Sequence, residues 1–223
     1  FGKVEELGDV HIGGKVEVDF YALPASDSRS MLRMRHAYLT MKWTSLEILA
    51  GQTTDLISPR LPAINYDMVM WGAGNLGDRR PQARVTGNVK FGKATMTFAA
   101  MAGMTGAIDA QNLDANGVLD GVQSALPTVQ ARIGFDYKLW EKGNQMGFGV
   151  WAHWAKEEVD NFSFGARDES HFDSWAIGLD MYFPIWEDRL WIQGEAWVGE
   201  NLDDVRGGIF QGVNADGEEI KSI

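Results

Sequence analysis

The chain has 223 residues, with 20 Lys+Arg against 31 Asp+Glu and a formal net charge of -11, a balance that argues against a nucleic-acid partner. It has no cysteine, so neither a disulfide framework nor thiol chemistry is open to it. Although 45% of its residues are hydrophobic, no apolar run reaches the roughly 18 residues of a transmembrane helix.

Phe1 opens into a charged stretch with no signal peptide. The first alternating segment follows: Val10, Ile12, Val16, Val18 and Phe20 interleave with Asp9, His11, Lys15, Glu17 and Asp19. Period two places the two sets on opposite faces of a β-strand. After a polar stretch at about 22–31 comes a second strand with a conflict of parity. Arg33 and Arg35 assign odd positions to the polar face, yet Ala37, Leu39, Met41 and Trp43 are the apolar set beside Thr40 and Lys42. A β-bulge near His36-Ala37 resolves it by shifting the register.

The tight connection Trp43-Thr44-Ser45 leads to a strand near 45–52, and then to a long segment, 53–81. That segment holds Pro59, Pro62, Gly72, Gly74 and Gly77, with apolar Ile57, Leu61, Ile64, Met68, Val69, Met70 and Trp71. It is too long and too apolar for a free surface loop. Folding into a barrel interior is expected; the alternative is a latch over a neighbouring subunit. Next, Ala83, Val85, Gly87, Val89 and Phe91 alternate with Gln82, Arg84, Thr86, Asn88 and Lys90. Phe91-Gly92-Lys93 turns the chain into a strand at 94–103, followed by the polar stretch 104–127. Val129, Ala131, Ile133, Phe135 and Tyr137 form the next apolar set. The turn Trp140–Asn144, a strand at 145–156, a polar stretch 157–170, a strand at 171–183, the turn Pro184–Asp188 and a strand at 189–199 complete the pattern. Past the polar stretch 200–216, a last strand starts near Glu218. The total is about ten strands.

Short and long connections alternate without a break, the wiring of an up-and-down transmembrane β-barrel with short turns at one end and long loops at the other. Strands of roughly 9–13 residues suit a tilted crossing of the hydrocarbon layer. Trp43, Trp140 and Trp186 sit at or beside the short turns, where an aromatic belt would place them. The fold class expected is therefore all-β, a transmembrane antiparallel up-and-down barrel. A soluble antiparallel sheet with one wet face shares the alternation. It would be a carbohydrate-binding or glycan-cleaving domain using surface Trp, and the alternation leaves open which face is outside. Ile220-Lys221-Ser222-Ile223 begins a strand that stops. The expectation is a single domain, 1–223, incomplete at both ends and belonging to a larger barrel of roughly 16 strands.

Three stretches resemble the DcaP-like porins, a family of trimeric outer-membrane channels. They are Arg33-Met34-Arg35-His36-Ala37-Tyr38 after Val18-Asp19-Phe20-Tyr21; Leu49-Ala50-Gly51-Gln52-Thr53 leading to Ser58-Pro59; and Gly72-Ala73-Gly74-Asn75 followed by Arg79-Arg80-Pro81-Gln82-Ala83-Arg84. The match covers roughly 15–90, with Gly194–Leu202 a weaker likeness. The resemblance implies a homotrimer in bacterial outer-membrane lipid, with strands preceding Val18.

A porin performs no chemistry; the shape and charge of its water-filled lumen are its function. The expected pore-lining residues are Arg33, Arg35, Arg60, Arg79, Arg80, Arg84, Lys90 and Arg132. Arg84, Lys90 and Arg132 share the polar parity of their strands, and a charge facing lipid would cost about 2–4 kcal/mol. Guanidinium groups match carboxylate geometry, so the expected cargo is small, carboxylate-type anions, passing a basic waist below an acidic rim of Asp109, Asp114, Asp120 and Asp203-Asp204. The competing expectation is that Asp55, Asp67 and Asp78 neutralise these arginines. No hydrolase, nucleotide-binding or metalloprotease motif occurs, so no enzyme and no cofactor is expected. His11, His36, His153 and His171 lack metal-ligand spacing. Asp180 and Glu195 could pair as acid and base in a glycanase-like site, and 109–120 departs from a calcium loop in spacing and terminal residue.

Overall fold

The computed structural model describes residues 2–7, 9–22, 31–61, 74–105, 126–141, 143–158, 171–186, 189–202, 204–205 and 221–222. They form one antiparallel sheet of 11 strands in sequence order. The first strands are β1 (Gly2–Leu7), β2 (Val10–Ala22), β3 (Met31–Lys42) and β4 (Leu46–Thr54). Next come β5 (Arg79–Phe91), β6 (Ala94–Gly103), β7 (Thr128–Tyr137) and β8 (Met146–Glu158). The last are β9 (His171–Trp186), β10 (Leu190–Glu200) and β11 (Lys221–Ser222).

The strand missing from the sequence reading is β1. It pairs with β2 from Gly2↔Gly14 to Leu7↔Val10, with a register shift between Val4 and Glu6. That shift spends an extra residue at Glu5, so the consecutive Glu5 and Glu6 break the period-two signal. The second strand resolves its parity conflict as expected, one residue early: Glu17 pairs with His36 and Val18 with Met34, leaving Arg35 as the bulged residue. Arg33 before the bulge and His36, Tyr38 and Thr40 after it share a face. Among the described residues no ladder joins β1 to β11.

The two faces of the sheet are inverted relative to a soluble protein. On β9, Ile177 and Leu179 are 52% and 58% exposed, while Ser174 and Asp180 on the other parity are 0% and 3% exposed. Val16, Val85, Ile133, Val150 and Ile192 stand on the same outer face, and Thr128, Gln130, His153 and Glu157 are buried on the inner one. Ordinary sheets put the apolar set inside.

The described ends of the long connection, Asp55–Leu61 and Gly74–Asp78, lie against the inner face. Leu56 N donates to Gln130 Oε1 at 2.8 Å, Gln193 Nε2 donates to Leu61 O at 2.8 Å, and Trp197 Nε1 donates to Gly74 O at 3.0 Å. Ile57 and Leu76 meet Trp151, Ala176, Leu202 and Val205 in a small apolar cluster. Ile57 and Leu76 of this segment are thereby packed on the inside, while 62–73 lies outside the described residues.

Candidate functional site: the charged inner wall

The inner wall carries the expected cations in four distinct settings. The first lies on β2 and β3. Arg33 grips Asp19 with Nε–Oδ1 at 3.0 Å and Nη2–Oδ2 at 2.6 Å. The bulged Arg35 reaches Glu17 at 2.8 Å and Asp19 at 3.3 Å, and Lys15 also contacts Glu17. Arg79, at the start of β5, lies within electrostatic reach of Arg33 and Arg35.

The second setting is a buried clamp. Arg80 is 6% exposed. It donates to Asp55 at 2.9 and 3.1 Å, to the Asp204 backbone carbonyl at 2.8 Å, and to Met104 O at 3.1 Å. Asp204 Oδ2 stands 3.3 Å from Nη1. Asp204 also faces His153, whose Nε2 is 3.4 Å from Oδ1. Burial alone would raise the Asp204 carboxyl, but His153 and Arg80 beside it hold it below the ordinary range. Two expectations change here. Arg80 is matched and enclosed rather than free to meet a solute, with Asp55 its neutraliser. Asp204, in the connection after β10, is fully buried against Arg80 and His153 rather than part of an acidic rim. Asp67, Asp109, Asp114, Asp120 and Asp203 lie outside the described residues.

The third setting is centred on Asp180. Arg132 binds it through Nε–Oδ2 and Nη2–Oδ1, both 2.8 Å. Arg60, arriving on the inner segment, adds Nε–Oδ1 at 2.9 Å, while its backbone N donates to Glu195 Oε1 at 2.7 Å. The wall leaves room by omitting side chains. A Cβ at Gly149 would overlap Asp180 and Arg132, and one at Gly178 would overlap the Trp151 ring. Asp180 and Glu195 are direct cross-strand partners, the proximity an acid–base pair would need. Both Asp180 oxygens are nevertheless held by guanidinium groups, which suits a positioning anchor better than glycosidic chemistry.

The fourth setting is β5 itself, where Arg84 and Lys90 share the inner parity with Gln82, Thr86 and Asn88. Arg84 bonds Gln82 Oε1 at 2.7 and 3.1 Å and the Thr54 carbonyl. Among the described residues neither Arg84 nor Lys90 makes an ion pair. The described residues also contain no group of three His, Asp or Glu arranged to hold a metal ion. His153 is a buried network residue between Gln130 and Ser174, at 3.3 and 3.2 Å.

No family model matches the chain, and no curated protein matches it. A solved structure does. The crystal structure of the outer membrane channel DcaP of Acinetobacter baumannii aligns with a TM-score of 0.70 at 22% identity, over 96% of this chain and 55% of that one. The fold is thus that of an outer-membrane channel barrel, and the chain spans about half the length of the channel it matches. The resemblance read from Arg33–Tyr38 and Leu49–Arg84 extends to the three-dimensional structure along nearly the whole chain.

Sequence reasoning missed Asp204, Gln130 and Trp151 as inner-wall organisers. Gln130 and Trp151 carried a usable signal, since each sits on the parity of its strand opposite the apolar outer set. Asp204 carried none, being one acid in a polar connection.

Proposed function

We propose that the chain is the larger part of a porin wall in the bacterial outer membrane, admitting small anions by passive diffusion. The observation that carries this reading is the inverted sheet, with Ile177 and Leu179 outward and Ser174 and Asp180 inward. Lipid accepts an apolar exterior, and a closed barrel satisfies the backbone in it. The soluble carbohydrate-binding alternative has no use for exposed aliphatic residues on strand after strand. The short turns carry Trp140 and Trp186, the latter stacked by Arg189 at 4.9 Å, as suits a membrane interface.

In this reading the inner segment 55–61 narrows the lumen. Anion preference comes from Lys15, Arg33, Arg35 and Arg79, which outnumber Glu17, Asp19 and Asp78 at one level of the wall, together with Arg84. Arg60, Arg80 and Arg132 fix the constriction's shape rather than its charge. A homotrimer is the assembly the resemblance implies. The test is reversal potential of the full-length protein across a salt gradient in planar bilayers. An anion preference that shrinks on Arg33→Gln with Arg79→Gln is expected, and weakens with salt as the screening length falls from about 10 Å at 0.1 M to about 3 Å at 1 M. Absence of channels, or cation selectivity in the unaltered protein, would overturn it.

A further inference from the structure

The outer face of β7–β10 carries a groove of about 590 Å³. One row of side chains runs Ile133–Val150–Leu179 across β7, β8 and β9, and the next runs Phe135–Phe148–Met181. The rows lie two residues apart, about 7 Å along each strand. On β10 they end on small residues, Ala196 opposite Leu179 and Gly194 opposite Met181. A Cβ at Gly194 would meet nothing within 4 Å, so the groove is open at that end. Four strands give it a length of about 14 Å.

The β7 end of the groove leads to a pair of lysines at the short turns. Lys138 follows Phe135 by three residues, about 10 Å along the chain. Lys138 N donates to Lys93 O at 2.9 Å, which joins the β5–β6 turn to the β7–β8 turn. The two ammonium groups share one acid: Lys93 Nζ lies 3.2 Å from Glu141 Oε1, and Lys138 Nζ lies 3.7 Å from Oε2. Two cations against one carboxylate leave a surplus positive charge. The sequence of the same turn adds Lys142, which lies outside the described residues. At the β3–β4 turn, by contrast, Lys42 is balanced by Glu47. Trp140, beside Glu141, is 39% exposed, as suits a residue at the level of lipid headgroups.

We propose that the lysine pair and the groove form one site for an anionic glycerophospholipid of the phosphatidylglycerol type, in the leaflet at the short-turn end. Lys93 and Lys138 hold the phosphate, Trp140 lies at the level of the glycerol, and one acyl chain enters past Phe135 and lies between the two rows toward Gly194. An anionic headgroup answers the surplus charge. A zwitterionic one would bring its own ammonium to a place that already has two. The proposal rests on reading the outer face as lipid-facing.

Native mass spectrometry of the full-length protein in detergent tests it, with dioleoyl phosphatidylglycerol and dioleoyl phosphatidylethanolamine supplied at equal concentration. Phosphatidylglycerol is expected to be retained about fivefold better or more. Lys93→Gln with Lys138→Gln is expected to remove that preference. Gly194→Leu with Ala196→Leu, which fills the open end, is expected to weaken phosphatidylglycerol severalfold with the lysines intact. Excess glycerophosphoglycerol, the headgroup without chains, is expected not to displace the lipid. Heat-modified electrophoretic migration checks that each variant is folded. Equal retention of the two lipids would overturn the site, as would an unchanged preference in the folded lysine variant or unchanged retention in the folded groove variant. Displacement by glycerophosphoglycerol would show a phosphate site with no role for the groove, and would overturn it too. Planar-bilayer conductance separates this proposal from the porin reading. Channels without a phosphatidylglycerol preference leave the porin and remove the lipid site. Lysine-dependent phosphatidylglycerol retention without channels does the reverse.

Discussion

Gly149 on β8 sits directly opposite Asp180 on β9, and the space its missing side chain leaves is where the Asp180 carboxylate and the Arg132 guanidinium lie. The glycine is part of the ion pair in the sense that the pair has nowhere else to rest. Gly149→Ala forces backbone or side-chain displacement, a change of the overpacking kind that typically costs about 1–3 kcal/mol. The expected outcome is a lower urea midpoint of unfolding in detergent, together with altered channel conductance. An unchanged midpoint would show that Arg132 and Asp180 are free to move off the wall.

The Arg80 clamp predicts a larger loss. Arg80→Met leaves the buried Asp55 carboxylate without its cation and Asp204 with His153 alone, and breaking a buried pair from one side costs about 3–5 kcal/mol. Adding Asp55→Asn and Asp204→Asn to Arg80→Met is expected to recover much of that stability. Equilibrium unfolding of the single and triple variants reads both effects. A triple variant no better than the single one would mean the clamp acts through packing and not charge.

Leu179 separates a membrane barrel from a soluble one. It is 58% exposed, so in a water-soluble sheet Leu179→Arg would be harmless. In lipid the same change costs about 2–4 kcal/mol near the midplane. Folding into liposomes, followed by protease protection and electrophoretic migration, should show the variant inserting poorly. Insertion as efficient as the unaltered protein's would contradict a lipid-facing Leu179.

The bulge gives a prediction about deletions. Removing Arg35 leaves Met34 opposite Val18 and His36 opposite Glu17, a regular ladder with every face preserved. Removing Thr40 instead turns Met41 inward and Lys42 outward, because a one-residue slip exchanges the two faces. Folding yield should survive the first deletion and collapse with the second. Equal yields would place the register shift elsewhere.

Alternation and loop sorting made ten strands and their outer faces legible, since period two is a local property of sequence. Strand β1 was hidden by its own irregularity at Glu5-Glu6. The bulge in β3 was legible because Arg33 and Leu39 demand opposite parities. The partners of the cations were not. Arg80 meets Asp204 across 124 positions and Arg60 meets Asp180 across 120, and nothing in a local pattern encodes which acid a distant arginine will find. The sequence listed Arg80, Arg84 and Arg132 as equivalents. Only their partners, Asp55, the neutral oxygens of Gln82 and Thr54, and Asp180, distinguish a clamp, a cation bonded to neutral groups and an anchor.

Those same long separations impose an order of assembly. Asp55 of the inner segment is held by Arg80 on the next strand, β5, but Leu56, Arg60 and Leu61 find their partners on β7, β9 and β10, later in the chain. Closing such distant contacts has an entropic cost that local strand pairing does not. Adjacent hairpins can therefore zip in sequence while Arg60 and Leu61 remain undocked, and their contacts with Asp180, Glu195 and Gln193 form only after β10 has arrived. A chain stalled before that point would have its early wall paired but Arg60 without Asp180 and Arg80 without Asp204, the acids 120 and 124 positions away.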